Sequence, residues 1–115
     1  MGREFSRHEL LVEASAAATK LGEFGSRGDR RRFSDDEVFQ YAIAFAWLRL
    51  AEPLCRLITR RLVDDQVRRE WQGMCEVRNV LAHERDQDIN YPRLWQGIHT
   101  TLGGTQTTLD RLVAG

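Results

Sequence analysis

An arginine and a histidine five residues apart form the pattern in this sequence best suited to chemistry. Arg78 is followed directly by Asn79, and His83 comes four residues after that asparagine. A histidine can take or give a proton near neutral pH, and an arginine can stabilise charge that builds on phosphoryl oxygens. Asn79 could orient the imidazole or a phosphate oxygen. Together these side chains could cut RNA without a metal ion, through attack of the ribose 2′-hydroxyl on its own phosphorus.

This reaction makes two demands that the spacing alone does not meet. Asn79 and His83 share a helix face, but Arg78 and His83 lie roughly 140° apart around an ideal helix. Both can reach one phosphate only if the arginine stem extends or the helix ends before His83. The reaction also needs an acid and a base, so a two-fold dimer would have to supply a second histidine. A structural cap or a surface pair is the alternative interpretation of this short pattern.

Helical periodicity in the first half of the chain predicts two helices. Apolar residues at spacings of three and four predict a first helix over residues 5–24. Ser34 and Glu37 are placed as a capping box for the second helix, with Phe33 and Val38 as its hydrophobic staple. The apolar face expected for this helix consists of Val38, Ala42, Phe45 and Leu48, with Tyr41 and Trp47 beside it.

The second half of the chain predicts two further helices. Pro53 should kink or restart the second helix, and Asp64-Asp65 should cap a third that ends near His83. Asn90 opens a fourth helix, with Pro92 in its tolerated first turn, and Gly103-Gly104 should weaken that helix. No segment alternates with the period of a strand. The expected fold is therefore all-α, an antiparallel four- to five-helix bundle forming a single domain over residues 1–115.

Composition narrows the possible functions. Seventeen basic and seventeen acidic residues cancel, which argues against a nonspecific nucleic-acid coat protein but not against a nuclease with a local basic pocket. Sixteen of the cations are arginine, which reflects either a GC-rich genome or phosphate recognition. The longest apolar stretch, from Tyr41 to Leu48, is far short of the roughly 20 residues that span a bilayer. With no apolar signal segment at the N-terminus, the expected location is the cytoplasm.

The cysteines and histidines indicate neither a metal site nor a cofactor site. Cys55 and Cys75 lie in apolar helical patterns without a CxxC motif, so buried free thiols are expected. His8, His83 and His99 are scattered along the chain, and no zinc-ligand spacing is present. We therefore expect no metal and no cofactor.

Other basic and aromatic residues admit two interpretations. The three tryptophans, Trp47, Trp71 and Trp95, could stack on bases but lie in apolar patterns typical of a core or a dimer interface. Arg56, Arg60 and Arg61, together with Arg68-Arg69, could form a basic wall. The sequence does not show whether these arginines face the candidate site.

Several linked positions resemble the HepT-like branch of the HEPN superfamily. They are Trp71, residues 78–83 (Arg-Asn-Val-Leu-Ala-His), residues 89–91 (Ile-Asn-Tyr) and residues 94–95 (Leu-Trp). That branch typically shows a tryptophan seven residues before the arginine, a histidine five after it and a closing Val/Leu-Trp on the last helix. Residues 33–54 fit its long second helix, so the resemblance covers nearly the whole chain.

The resemblance implies a function and a set of partners. Such proteins are helical bundles that form homodimers, in which two Arg-to-His motifs line a shared cleft. Many are metal-independent ribonucleases, often the toxin of a toxin–antitoxin pair with a small nucleotidyltransferase of the MntA type as antitoxin. By this resemblance Arg78 and His83 would be the catalytic pair, with Asn79 as their polar neighbour and RNA as the substrate.

One departure from the family pattern bears on regulation. The pattern usually continues His-x-Tyr, and the antitoxin attaches AMP groups to that tyrosine, but this chain has Arg85 there. Tyr91 matches a different family position, the start of the last helix. Arg85 is interpreted either as a phosphate contact or as a solvated loop charge. The alternative function is a noncatalytic HEPN module that docks to a nucleotidyltransferase and helps bind nucleotide or substrate.

Overall fold

The computed structural model describes residues 4–115, and this part of the chain is helical without strands. The all-α expectation is confirmed. Seven α-helices and one 3-10 turn (Asp86–Asp88) occupy it. The helices are α1 (Arg7–Gly25), α2 (Arg30–Asp35), α3 (Glu37–Thr59), α4 (Asp65–Glu70), α5 (Met74–His83), α6 (Tyr91–Thr100) and α7 (Leu102–Ala114).

The two longest helices, α1 and α3, pack against each other and organise the rest of the bundle. Helix α7 packs on α1, and α5 packs on α3. Fully buried aliphatic side chains on these helices include Leu10, Leu11, Leu21, Ile43, Leu50, Leu54, Leu57 and Leu109. Burial of apolar side chains stabilises the fold by roughly 1.5–3 kcal/mol for each one fully removed from water. None of the helices in residues 4–115 is long and apolar enough to cross a bilayer.

The start of the second predicted helix differs from the prediction. A short helix, α2, includes Ser34, whose hydroxyl donates to the Arg30 carbonyl instead of capping α3. Asp36 caps α3, because its backbone is extended and its carboxylate accepts from the Phe39 amide at 3.1 Å. Val38 is 78% exposed and therefore forms no staple. Helix α3 then runs through the buried Pro53 to Thr59 without a restart.

The third and fourth predicted helices are each divided in two. The third helix breaks after Glu70, where Trp71 turns into the core, and α5 begins after the N-cap residue Gly73. Its predicted cap at Asp64 is confirmed, as is its end at His83. The fourth begins after Asn90 as predicted, but it divides at Thr101 into α6 and α7, just before the glycine pair.

The cysteines form a disulfide, so the expectation of free thiols is wrong. Cys55 of α3 and Cys75 of α5 are joined by a bond of 2.05 Å. Their Cα atoms are 4.8 Å apart, within the usual range for a disulfide. Each cysteine lies on a helical face, and the two faces meet across the interface between α3 and α5. The spacing of apolar residues within one segment does not show which other helix that segment packs against.

Candidate active site

Helix α5 carries all three residues of the predicted motif. It begins at Met74 after the N-cap residue Gly73, which offers no side-chain cap, and it ends at His83, with Glu84 extended after it. Because His83 is still helical, the reach of the Arg78 side chain decides whether the two residues can act on one phosphate.

The structure joins Arg78 to Asn79 directly. The Arg78 Nη1 donates to the Asn79 Oδ1 at 3.0 Å. Within residues 4–115, no hydrogen bond or ion pair holds the exposed His83 side chain. Arg78 is thus fixed on one side by its neighbour, while His83 is open to solvent and to an approaching molecule.

Glu52 of α3 is a site residue that the sequence analysis missed. Its Oε1 accepts from the Arg78 Nε at 3.2 Å, and the two side chains are 39% and 38% exposed. Glu52 lies three residues before Cys55, and Arg78 lies three residues after Cys75. Helices α3 and α5 therefore run antiparallel, and one turn separates the ion pair from the disulfide. The disulfide places α3 beside α5 at this level, and it is the signal that could have pointed to this pair.

Arg56 also lies beside this carboxylate. Its Nη2 is 4.0 Å from the Glu52 Oε2, so Glu52 stands between the guanidinium groups of Arg56 and Arg78. The other members of the predicted basic wall that form ion pairs have separate partners. Arg60 pairs with Glu4 at 3.0 Å, and Arg68 pairs with Asp65 at 3.5 Å.

The side of α3 that carries Glu52 and Arg56 also carries an exposed apolar stripe, which consists of Val38, Tyr41 and Phe45. We call this side the outer face of α3 and define it as Val38, Tyr41, Phe45, Glu52 and Arg56. Val38, Tyr41 and Phe45 are 78%, 45% and 62% exposed. Val38 and Phe45, two members of the predicted apolar face, are therefore largely exposed to solvent. The buried side of α3 carries Phe39, Ile43, Ala46, Trp47, Leu50 and Leu54. Apolar residues occur on both sides of this helix, and only the packing of α1, α5 and α6 decides which side is covered.

The segment after His83 is held by a pair of tyrosines. The Tyr91 hydroxyl donates to the Asp86 carboxylate, and the Tyr41 and Tyr91 rings lie 6.3 Å apart. A hydrogen bond with Glu37, burial and the Asp86 charge raise the pKa of Tyr41 to about 12. Burial and the Asp86 hydrogen bond also raise the pKa of Tyr91. Both phenols therefore stay neutral at physiological pH and can donate to these carboxylates.

Arg85, at the position of the family tyrosine, lies in this same segment. Its side chain is 77% exposed, and its Nε lies 3.3 Å from the Asp88 Oδ2. This arrangement favours the solvated loop charge over the phosphate contact.

The tryptophans are buried, which favours packing over base stacking. The Trp47 indole nitrogen donates to the Leu94 carbonyl at 2.9 Å. Trp95 stacks on Phe33, with ring centroids 5.1 Å apart. Trp71 is fully buried, and no hydrogen-bond partner for its indole N–H is present in the described part of the chain. All three therefore support the elements that hold α5 and α6.

One comparison with known proteins identifies the family of the chain. A family model described as "Ribonuclease HepT-like" matches residues 14–112. Searches of the curated proteins and of the solved structures found no match. The matched range includes the whole of α5 and the Glu52–Arg78 pair. The chain therefore belongs to the HepT-like ribonuclease family.

Proposed function

We propose that this protein is a metal-independent endoribonuclease that cuts RNA with Arg78 and His83. The observation that carries the proposal is the arrangement on α5. Arg78 is oriented by Glu52 and Asn79 at 3.2 and 3.0 Å, and an exposed histidine ends the same helix. Membership of the ribonuclease family supports RNA as the substrate.

The proposed reaction is an internal transfer at phosphorus. The ribose 2′-oxygen forms a bond to phosphorus as it loses its proton to a base, and the bond to the 5′-oxygen breaks as that oxygen gains a proton from an acid. His83 is suited to one of these proton transfers. Arg78 stabilises the charge on the phosphoryl oxygens, and Asn79 holds the guanidinium in place. The products are a 2′,3′-cyclic phosphate and a 5′-hydroxyl.

The Glu52–Arg78 ion pair is weak enough to permit substrate binding. Both partners are more than a third exposed, and ion pairs of that kind contribute about 0–1 kcal/mol. A phosphate can therefore take the place of the carboxylate at small cost. Without substrate, the pair with Glu52 favours the position of the guanidinium beside α3.

A homodimer would supply the second proton-transfer group. In the proposed dimer the apolar part of the outer face of α3 packs on its copy around a two-fold axis. Support comes from the exposure of Val38 and Phe45 on the helix face that also carries Glu52. An isologous contact there would cover the apolar side chains and bring the Arg78 and His83 pairs of two copies towards one cleft.

In this proposal the chain is the toxin of a toxin–antitoxin pair and acts in the cytoplasm as one domain over residues 1–115. Its partner is an MntA-like nucleotidyltransferase. Because Arg85 stands where the family has tyrosine, this partner would inhibit by binding alone or by modification of another residue. The same departure favours the second candidate, a noncatalytic module that docks to a nucleotidyltransferase.

The test is RNA cleavage in the presence of EDTA. Purified protein is incubated with total cellular RNA, beside Arg78→Ala and His83→Ala variants and a matched His8→Ala control, whose histidine lies in the first turn of α1. We expect cleavage that leaves 2′,3′-cyclic phosphate ends, a loss of about 10²–10⁴-fold in His83→Ala and unchanged cleavage in the control.

Two results would reject parts of this proposal. A folded, dimeric protein that leaves RNA intact would favour the noncatalytic module, whose binding to a nucleotidyltransferase would then be measured. Cleavage that persists in both variants would show that Arg78 and His83 are not the catalytic pair.

A further inference from the structure

Arg56 and Arg78 share a single acidic partner. The two oxygens of the Glu52 carboxylate lie 3.2 Å from the Arg78 Nε and 4.0 Å from the Arg56 Nη2. One negative charge between two guanidinium groups leaves one positive charge uncompensated. The cluster is therefore locally basic, although the chain as a whole carries no net charge.

Arg56 is the less restrained of the two arginines. Its side chain is 50% exposed, and Glu52, at the limit of ion-pair distance, is its acidic partner within residues 4–115. By contrast, Arg49 on the same helix pairs with Glu13 of α1 at 3.8 Å, and within residues 4–115 no second arginine shares that carboxylate. Arg56 lies one turn beyond Glu52 on the outer face of α3, so its guanidinium can turn to a ligand that approaches Arg78.

We propose that Arg56 is a substrate-binding residue that contacts the phosphate next to the scissile one. This inference rests on the proposed ribonuclease function. A guanidinium fork suits phosphate oxygens, and successive phosphates of one strand can each meet one arginine of a neighbouring pair. The preferred substrate would be a single-stranded RNA with at least two phosphodiesters. Arg78 would bind the phosphate that reacts, and Arg56 would hold its neighbour and set the register of the strand.

The test compares substrates with one phosphodiester and with several. Cleavage of a dinucleoside monophosphate and of a short oligoribonucleotide is measured for the parent, for Arg56→Gln and for the matched control Arg49→Gln. On the oligonucleotide we expect Arg56→Gln to raise KM about tenfold with little change in kcat. On the dinucleoside monophosphate this variant should match the parent.

Salt dependence adds a readout that a structural defect would not change. The slope of log kcat/KM against log salt concentration should become shallower by about 0.7 in Arg56→Gln on the oligonucleotide, since one phosphate contact to a single strand is lost. Arg49→Gln should keep the slope of the parent, and Arg56→Lys should restore part of it because the charge returns without the fork.

Four results would overturn the inference. Equal losses on both substrates would place Arg56 at the scissile phosphate, and an equal change of slope in Arg49→Gln would assign the effect to general surface charge. Unchanged KM and slope in Arg56→Gln, with a parent that cleaves RNA, would remove Arg56 from substrate binding and leave the proposed function intact. A folded parent that cleaves neither substrate would overturn the proposed function and this inference with it.

Discussion

The two sides of α3 are both rich in apolar residues, yet they serve different purposes. The buried side, with Ile43 and Leu50 fully removed from water, holds α1 and α3 together. The outer face leaves Phe45 exposed and ends in the carboxylate that orients Arg78. Stability therefore resides on one side of the helix, while the other side is available for a partner copy and for substrate. Matched truncations on the two sides should separate these roles.

The largest effect is expected from Leu50→Ala on the buried side. Leu50 is 0% exposed within the core, so truncation removes its apolar contacts and leaves a cavity. We expect the free energy of unfolding to fall by about 2–5 kcal/mol, measured by chemical denaturation. A loss no greater than that of an exposed residue would mean that α1 and the buried side of α3 are not in contact in solution.

The disulfide beside the outer face should have the next largest effect. It closes a loop between positions 20 residues apart, and the chain-entropy argument gives a stabilisation of about 3 kcal/mol. The double variant Cys55→Ser/Cys75→Ser should lose up to that amount in oxidising buffer. Reductant should lower the stability of the parent to the same level and leave the variant unchanged. A parent insensitive to reductant would contradict a bond between these cysteines.

The helix boundaries show what sequence alone can predict. The caps at Asp64 and Asn90 were predicted because each is a local signal, a side chain that bonds an amide three residues ahead. The start of α3 was misplaced because Ser34 and Asp36 both offer such a cap. Asp36 is the cap in the structure because α2 precedes α3, and this arrangement buries Phe33 against Trp95. A contact between residues so distant in the chain leaves no local signal.

The candidate site likewise contains residues that the sequence predicts and one that depends on a contact between helices. The family pattern and the chemistry of their side chains predicted Arg78, Asn79 and His83, which lie on one short helix. Glu52 was not predicted, because its role depends on the pairing of α3 with α5. Periodicity predicted an apolar face that includes Val38 and Phe45, but it shows only which residues share a face and not whether another helix covers it. Such contacts between elements are what the structure adds to the sequence.

The smallest effect on stability is expected from Phe45→Ala, the counterpart of Leu50→Ala on the outer face. Phe45 is 62% exposed, so the unfolding free energy of the monomer should change by no more than about 0.5 kcal/mol. If the apolar stripe is the dimer surface, the same substitution should weaken self-association, measured by sedimentation over a range of concentrations. Val12→Ala, an exposed apolar truncation on α1, should alter neither quantity. An unchanged dimer in Phe45→Ala would exclude Phe45 from the interface, whereas a destabilised monomer would mean that this side of α3 is packed as firmly as the other.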